Sequence, residues 1–166
     1  ASDVANAVLD GTDCVMLSGE TAIGKYPVEA VNIMSEISDS VESDMNLQNF
    51  NRYIDQTTSR VNDNRSSICH AVMTLSADLS ISNIVIMTES GSTAIKMARF
   101  RPKAKIFALC SHRHVFQMLS LIWGLVPILV DSFKSTDDMI EYSGKLLKDK
   151  NHLVDGEKFI ITAGVP

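Results

Sequence analysis

The chain has 166 residues, 45% apolar and 21% charged, which is room for one domain, or one domain and part of another, with a real core. A net charge of −5 and a pI near 5.3 give no electrostatic basis for a nucleic-acid or anionic-membrane partner. No apolar run is long enough to span a bilayer, and three scattered cysteines without a CxxC (Cys14, Cys69, Cys110) predict buried thiols in a reducing compartment rather than a disulfide framework or zinc site.

In chain order, Ser2-Asp3 is a good N-cap for a helix through Val4, Ala5, Val8 and Leu9, which Gly11 stops. Cys14-Val15-Met16-Leu17 reads as a buried strand, broken by Ser18-Gly19-Glu20. Val28, Val31, Met34, Ile37, Val41 and Met45 recur every three or four residues, so 27–45 is predicted as an amphipathic helix with Pro27 in its first turn. The polar stretch 44–65 reads as a connection, with a short helix near Phe50–Ile54.

A regular alternation follows. Helices are predicted from Ile68 to Leu79, Thr93 to Phe100, Val115 to Ile122 and Met139 to Leu147. Between and after them, 84–88, 106–109, 127–130 and 159–162 read as strands. Strands apolar throughout and alternating with helices imply a mostly parallel sheet covered on both faces. The expected fold is therefore α/β: an open sheet domain over 46–166, preceded by a helix–strand–helix piece over 1–45 that needs partners from elsewhere.

In such sheets ligands lie beyond the carboxyl ends of the strands, at helix N-termini. Thr88-Glu89-Ser90-Gly91-Ser92-Thr93 occupies that position with four hydroxyls and a permissive glycine, the parts of a phosphate cradle. The same residues also serve as ordinary helix caps, and Glu89 opposes an anion unless it points aside. Ser18-Gly19-Glu20-Thr21 follows another strand; a hydroxyl and a carboxylate there can order a water, or simply cap the next helix. His112-Arg113-His114 lacks a third ligand at metal spacing and reads as a solvated helix start, with Arg113 as a contributor to a phosphate pocket. His70 and His152 read as structural, Trp123 as packing, and Lys145, Lys148 and Lys150 as complements to a helix dipole. No Walker loop, nucleophile elbow, HExxH or GxGxxG is present.

The segment ASDVANAVLDGTDCVMLSGETA (1–22), continued by GKYPVEAV (24–31), closely resembles the stretch that closes the catalytic (β/α)8 barrel of pyruvate kinases. IVIMTESGSTAIKMARFRP (84–102) resembles that family's strand, effector loop and helix; Trp123 to Pro127 and Gly156 to Ile161 continue the match. The resemblance implies that 1–45 is the terminal segment of the barrel and 46–166 the allosteric domain of an enzyme that moves a phosphoryl group from phosphoenolpyruvate to ADP. It implies Mg2+ or Mn2+ and K+ bound outside these residues, no metal ligands in this chain, a cytoplasmic homotetramer, and a fragment inactive alone. It places Ser18 and Glu20 on the proton-relay side of the reaction. It makes Thr88, Ser90, Gly91, Ser92 and Thr93 the binding loop for a phosphate of a sugar-phosphate or nucleotide effector. Two departures accompany it: Glu89 stands where several relatives carry a basic or neutral residue, and 131–145 offers no Trp or Arg for a second phosphate. A glycine- and threonine-rich loop that folds over the effector is expected beyond Pro166. The apolar stripe Val28, Val31, Met34, Ile37 is expected to dock, swap or self-associate. The competing readings are a stand-alone phosphate-ligand-binding module without catalysis, and a purely structural oligomerisation domain.

Overall fold

A computed structural model of the chain describes residues 1–44, 63–131, 133 and 135–163. The chain divides into two units, Ala1–Tyr53 and Ile54–Pro166. The short helix expected near 50–54 lies outside the described residues.

In the first unit α1 spans Ser2–Leu9, α2 Gly19–Ala22 and α3 Pro27–Asp44. Ala1, not Ser2, is the N-cap of α1, and Asp3 supports the helix from its first turn through the dipole. Gly11 has φ 86°. Its N–H donates to the Val8 carbonyl (3.0 Å) and the Thr12 N–H to the Ala7 carbonyl (3.1 Å), the paired reversed bonds of a Schellman stop. Cys14–Leu17 does not form a strand: Cys14 is exposed and Met16 is 87% exposed. A strand is defined by its ladder, and the described residues of this unit supply no neighbour to pair with. α1 and α2 pack on α3, whose stripe of Ala30, Met34, Ile37, Ser38 and Val41 is half-buried while Val28, Val31 and Ile33 stay exposed.

The second unit runs α4 (Asn64–Asp78), β1 (Asn83–Met87), α5 (Ser92–Arg99), β2 (Lys105–Cys110), α6 (Arg113–Leu119), β3 (Leu125–Leu129), α7 (Thr136–Asp149) and β4 (Ile160–Ala163). Its four described strands are all parallel, in the order β3-β2-β1-β4. Successive strand residues point to opposite faces. Ile84, Ile86, Ile106, Ala108 and Cys110 meet Cys69 and Val72 of α4, Ala94 and Met97 of α5, and Val115 and Leu119 of α6. Val85, Phe107 and Leu109 meet Leu147 of α7, with Val130 and Leu153, on the other face. Both faces being dry explains why β1 and β2 read as continuous apolar runs. Each fully buried Ile, Leu or Phe contributes about 1.5–3 kcal/mol relative to exposure. β3 carries Pro127 and is an edge strand, where a missing N–H costs no ladder bond.

The chain steps from β1 through α5 to β2 and through α6 to β3, then returns through α7 to the far side of β1. That reversal puts the topological switch point between β1 and β4.

Several side chains settle into structural roles. The Arg101 guanidinium, almost fully buried, lies 4.3 Å from the centre of the Trp123 ring, a cation–π contact. The His152 ring packs on Phe107 at 5.0 Å, and His70 meets Phe100 edge-on at 6.0 Å. Lys148 pairs with Asp155 in addition to its place in the last turn of α7. Cys69 and Cys110 are buried, and burial pushes both thiols up; Cys14 is exposed, against the expectation that all three cysteines are interior.

Candidate functional site

Outside the carboxyl ends of the four strands lies a cavity of about 480 Å3. Each strand end contributes to it: Met87 to Ser90 after β1, Leu109 and Ser111 at β2, Val130 and Asp131 after β3, and Ala163 at the end of β4. Ser92 and Thr93 of α5, Arg65 of α4, and Phe133 and Met139 complete the lining. This is where an open α/β sheet offers a ligand crevice.

The turn from β1 into α5 is locked locally. The Thr88 N–H donates to the Leu109 carbonyl (3.0 Å), and the buried Thr88 Oγ1 accepts from the Gly91 N–H (2.9 Å). Gly91 sits at φ 81° as the N-cap of α5, and a Cβ there would lie 2.7 Å from Met118 Cε, 3.2 Å from Leu119 Cδ2 and 3.3 Å from Val115 Cγ1. Only glycine satisfies both demands. The helix begins with no side-chain cap bond, its first-turn N–H groups have no intrahelical acceptors, and Ser92 and Thr93 of that turn line the crevice. Ser90 Oγ donates to Ser92 Oγ (3.2 Å), and Arg65 Nη1 donates to the same Ser92 oxygen (3.2 Å).

Arg65 is held by the cap of α4. The Asp63 carboxylate accepts from the Arg65 N–H (2.8 Å) and the Ser66 N–H (3.1 Å), and it pairs with Lys96 of α5. The Lys96 ammonium, with the Ser66 N–H, holds the Asp63 carboxyl well below the usual carboxylate range. The start of α4 is thus tied to the last turn of α5 through Lys96 and to its first residue through the Arg65–Ser92 bond. Glu89 is 88% exposed at its side chain and turns toward His112 Nε2 at 4.0 Å. The arrangement offers a guanidinium, several hydroxyls and a helix N-terminus on one wall, which is the chemistry that holds an anion.

The residues singled out from the sequence fall into two places. Thr88, Ser90, Ser92 and Thr93 line the cavity together, with Gly91 shaping the turn. Ser18 and Glu20 belong to the other unit, at the start of α2, and both are exposed. There the Ser18 N–H donates to Glu20 Oε2 (3.2 Å) and the Ser18 carbonyl accepts from the Ala22 N–H (3.0 Å). The Glu20 backbone N–H and that of Ser18 lower its carboxyl. Arg113 is not among the cavity's lining residues; Arg65 supplies the cation instead. His112 and His114 stack at 5.5 Å, His112 being the N-cap of α6 and so outside the helical repeat. Arg65 and Asp131 escape sequence reasoning. The signal for Arg65 was Asp63, a strong N-cap that starts α4 four residues before the first apolar position, Ile68. Among the described residues no three His, Cys, Asp or Glu side chains group as a metal site, and no helix is long and apolar enough to cross a membrane.

The fold and crevice define an open parallel α/β domain with a polar pocket at its switch point. The family model described as the pyruvate kinase alpha/beta domain matches residues 66–166, and that of the pyruvate kinase barrel domain matches residues 1–31. The chain belongs to the pyruvate kinase family. It is similar over its whole length to pyruvate kinases of Clostridium acetobutylicum (37% identical) and Staphylococcus haemolyticus (41%), covering 35% and 28% of those chains. A crystal structure of a pyruvate kinase from Cryptosporidium parvum superposes with a TM-score of 0.91 at 31% identity, over 99% of this chain and 34% of that one. The pyruvate kinase of that organism in complex with ADP superposes at 0.84. The chain thus spans about a third of the length of the relatives it matches.

Proposed function

We propose that the chain is the effector-binding and subunit-interface part of an enzyme that transfers phosphate from phosphoenolpyruvate to ADP, giving pyruvate and ATP, as a cytoplasmic homotetramer. On this reading residues 1–45 belong to the end of the catalytic barrel, with Ser18 and Glu20 on its proton-relay side, and 46–166 form the allosteric domain. The observation that carries it is the crevice at the switch point, where Thr88, Ser90, Ser92, Thr93 and Arg65 converge on the N-terminus of α5. One phosphate of the effector sits there, accepting from first-turn N–H groups, hydroxyls and the guanidinium. The exposed Val28, Val31 and Ile33 on α3 serve as contact surface for further protein, since an apolar stripe of this kind favours burial.

Among the described residues no three His, Cys, Asp or Glu side chains group to hold the Mg2+ or Mn2+ that such an enzyme employs. Stabilisation of the transferring phosphoryl group requires cations aimed at it. Those belong to the two thirds of the relatives outside this chain. Two assays test the proposal together. The 166-residue chain forms no pyruvate from phosphoenolpyruvate and ADP. Sugar or nucleoside phosphates at about 100 times their Kd stabilise it by about 2.7 kcal/mol in thermal melts. Ser90→Ala with Thr93→Ala abolishes that gain. Turnover by the chain alone, or melts indifferent to every phosphate ligand, contradicts the proposal.

A further inference from the structure

We infer that the crevice selects a phosphate monoester carrying free hydroxyls and rejects a bisphosphate, and that Asp131 makes the choice. The inference rests on the reading of 88–93 as a phosphate site and goes on to its ligand class. The phosphate wall is built at β1, by the turn into α5 and by Arg65. Asp131 lines the same cavity just past the end of β3, and β3 is separated from β1 by β2. Neighbouring strands lie about 4.8 Å apart, so Asp131 faces the phosphate wall from about 10 Å away. That is the reach of a sugar's carbon skeleton.

Among the described lining residues the charges are unequal at the two ends. Among the described lining residues Arg65 is the one cation, and it sits at the phosphate end. Of the two carboxylates, Glu89 is turned out toward His112. Asp131 remains at the far end, beside Val130, Phe133 and Met139. A second phosphoryl group carried to that end meets a like charge at close range near the protein surface. A sugar hydroxyl arriving there meets an acceptor. An ionised carboxylate only accepts hydrogen bonds, and one accepting from a hydroxyl is a charge-assisted pair. The two ends therefore ask for different chemistry: one anion, then hydroxyls. A sugar monophosphate and a nucleoside monophosphate share it.

The test is titration calorimetry on the 166-residue chain with ribose 5-phosphate, glucose 6-phosphate, AMP, fructose 1,6-bisphosphate and inorganic phosphate, for the unaltered chain and for Asp131→Asn. Asp131 is exposed and lies outside the helices and strands, and unchanged circular dichroism verifies that the variant folds. A monophosphate is expected to bind at least about tenfold more tightly than the bisphosphate, the scale of one unfavourable charge contact near a protein surface. Asp131→Asn is expected to erase that difference, raising bisphosphate affinity about tenfold while lowering that of the monoester. Preference between ribose 5-phosphate and AMP tells a sugar from a nucleotide source. A bisphosphate that binds the unaltered chain as well as any monoester, or that gains nothing from Asp131→Asn, overturns the selectivity. If Ser90→Ala with Thr93→Ala abolishes that bisphosphate binding, the phosphate site itself stands. If no phosphate compound binds at all, the site reading falls and the selectivity with it.

Discussion

Replacing Gly91 by alanine tests whether the turn into α5 is held as described. The backbone there has φ 81°, in the left-handed region, and the added methyl would meet the side chains of Met118, Leu119 and Val115 at 2.7, 3.2 and 3.3 Å. The left-handed conformation costs an L-residue about 1–2 kcal/mol, and overpacking against α6 about 1–3 kcal/mol more. Met118 Cε is the end of a flexible chain and gives way, but Leu119 and Val115 are buried and stiffer, so a total of about 2–4 kcal/mol is expected. For a unit of this size, at roughly 4 °C per kcal/mol, Tm falls by about 8–16 °C. Differential scanning calorimetry of the chain and of Gly91→Ala reads the change directly. The variant also loses phosphate-ligand stabilisation, because the displaced turn no longer aims the α5 N-terminus at the crevice. A Tm within about 2 °C of the unaltered protein, beneath the lower bound, would refute the reasoning.

Further outcomes follow from individual groups. Asp63→Ala removes the N-cap of α4 and the partner of Lys96, and should lower the urea unfolding midpoint. Because the Asp63 carboxyl is lowered in the folded state, its stabilisation is complete above about pH 5 and declines as pH falls below about 4 toward the depressed value. Asp63→Ala should therefore flatten the acid limb of the stability profile, an effect kept small by exposure to solvent. Thiol labelling followed by mass spectrometry should modify exposed Cys14 first. Buried Cys69 and Cys110, their thiols pushed up by burial, should react only on unfolding.

The α/β architecture was legible because burial on both faces leaves a direct mark: Ile84 to Met87 and Ile106 to Leu109 are apolar without alternation. Pro127 shows how far that mark reaches. Its run was placed two residues late, since an edge strand half open to solvent lacks a clean apolar boundary. Cys14–Leu17 has the same apolar signature as a strand, but pairing is a property of neighbours, and four residues do not record whether one is present. The hydroxyl loop at 88–93 was visible because glycine and helix-start residues follow a strand. Arg65 and Asp131 come from segments 23 residues before and 43 residues after Thr88, and only the sheet order brings them to one crevice. Likewise the stacking of His112 on His114 depends on where α6 begins, a boundary that apolar spacing does not define.

The central claim, a phosphate site on the N-terminus of α5, is tested most directly by titrating the isotopically labelled chain with ribose 5-phosphate and with inorganic phosphate and following its backbone amides by NMR. Saturable shifts are expected, centred on the amides of Ser90 to Thr93, with the Arg65 side chain moving in step. Shifts confined to other regions, or none at these residues at ligand concentrations that saturate the melt, would contradict it.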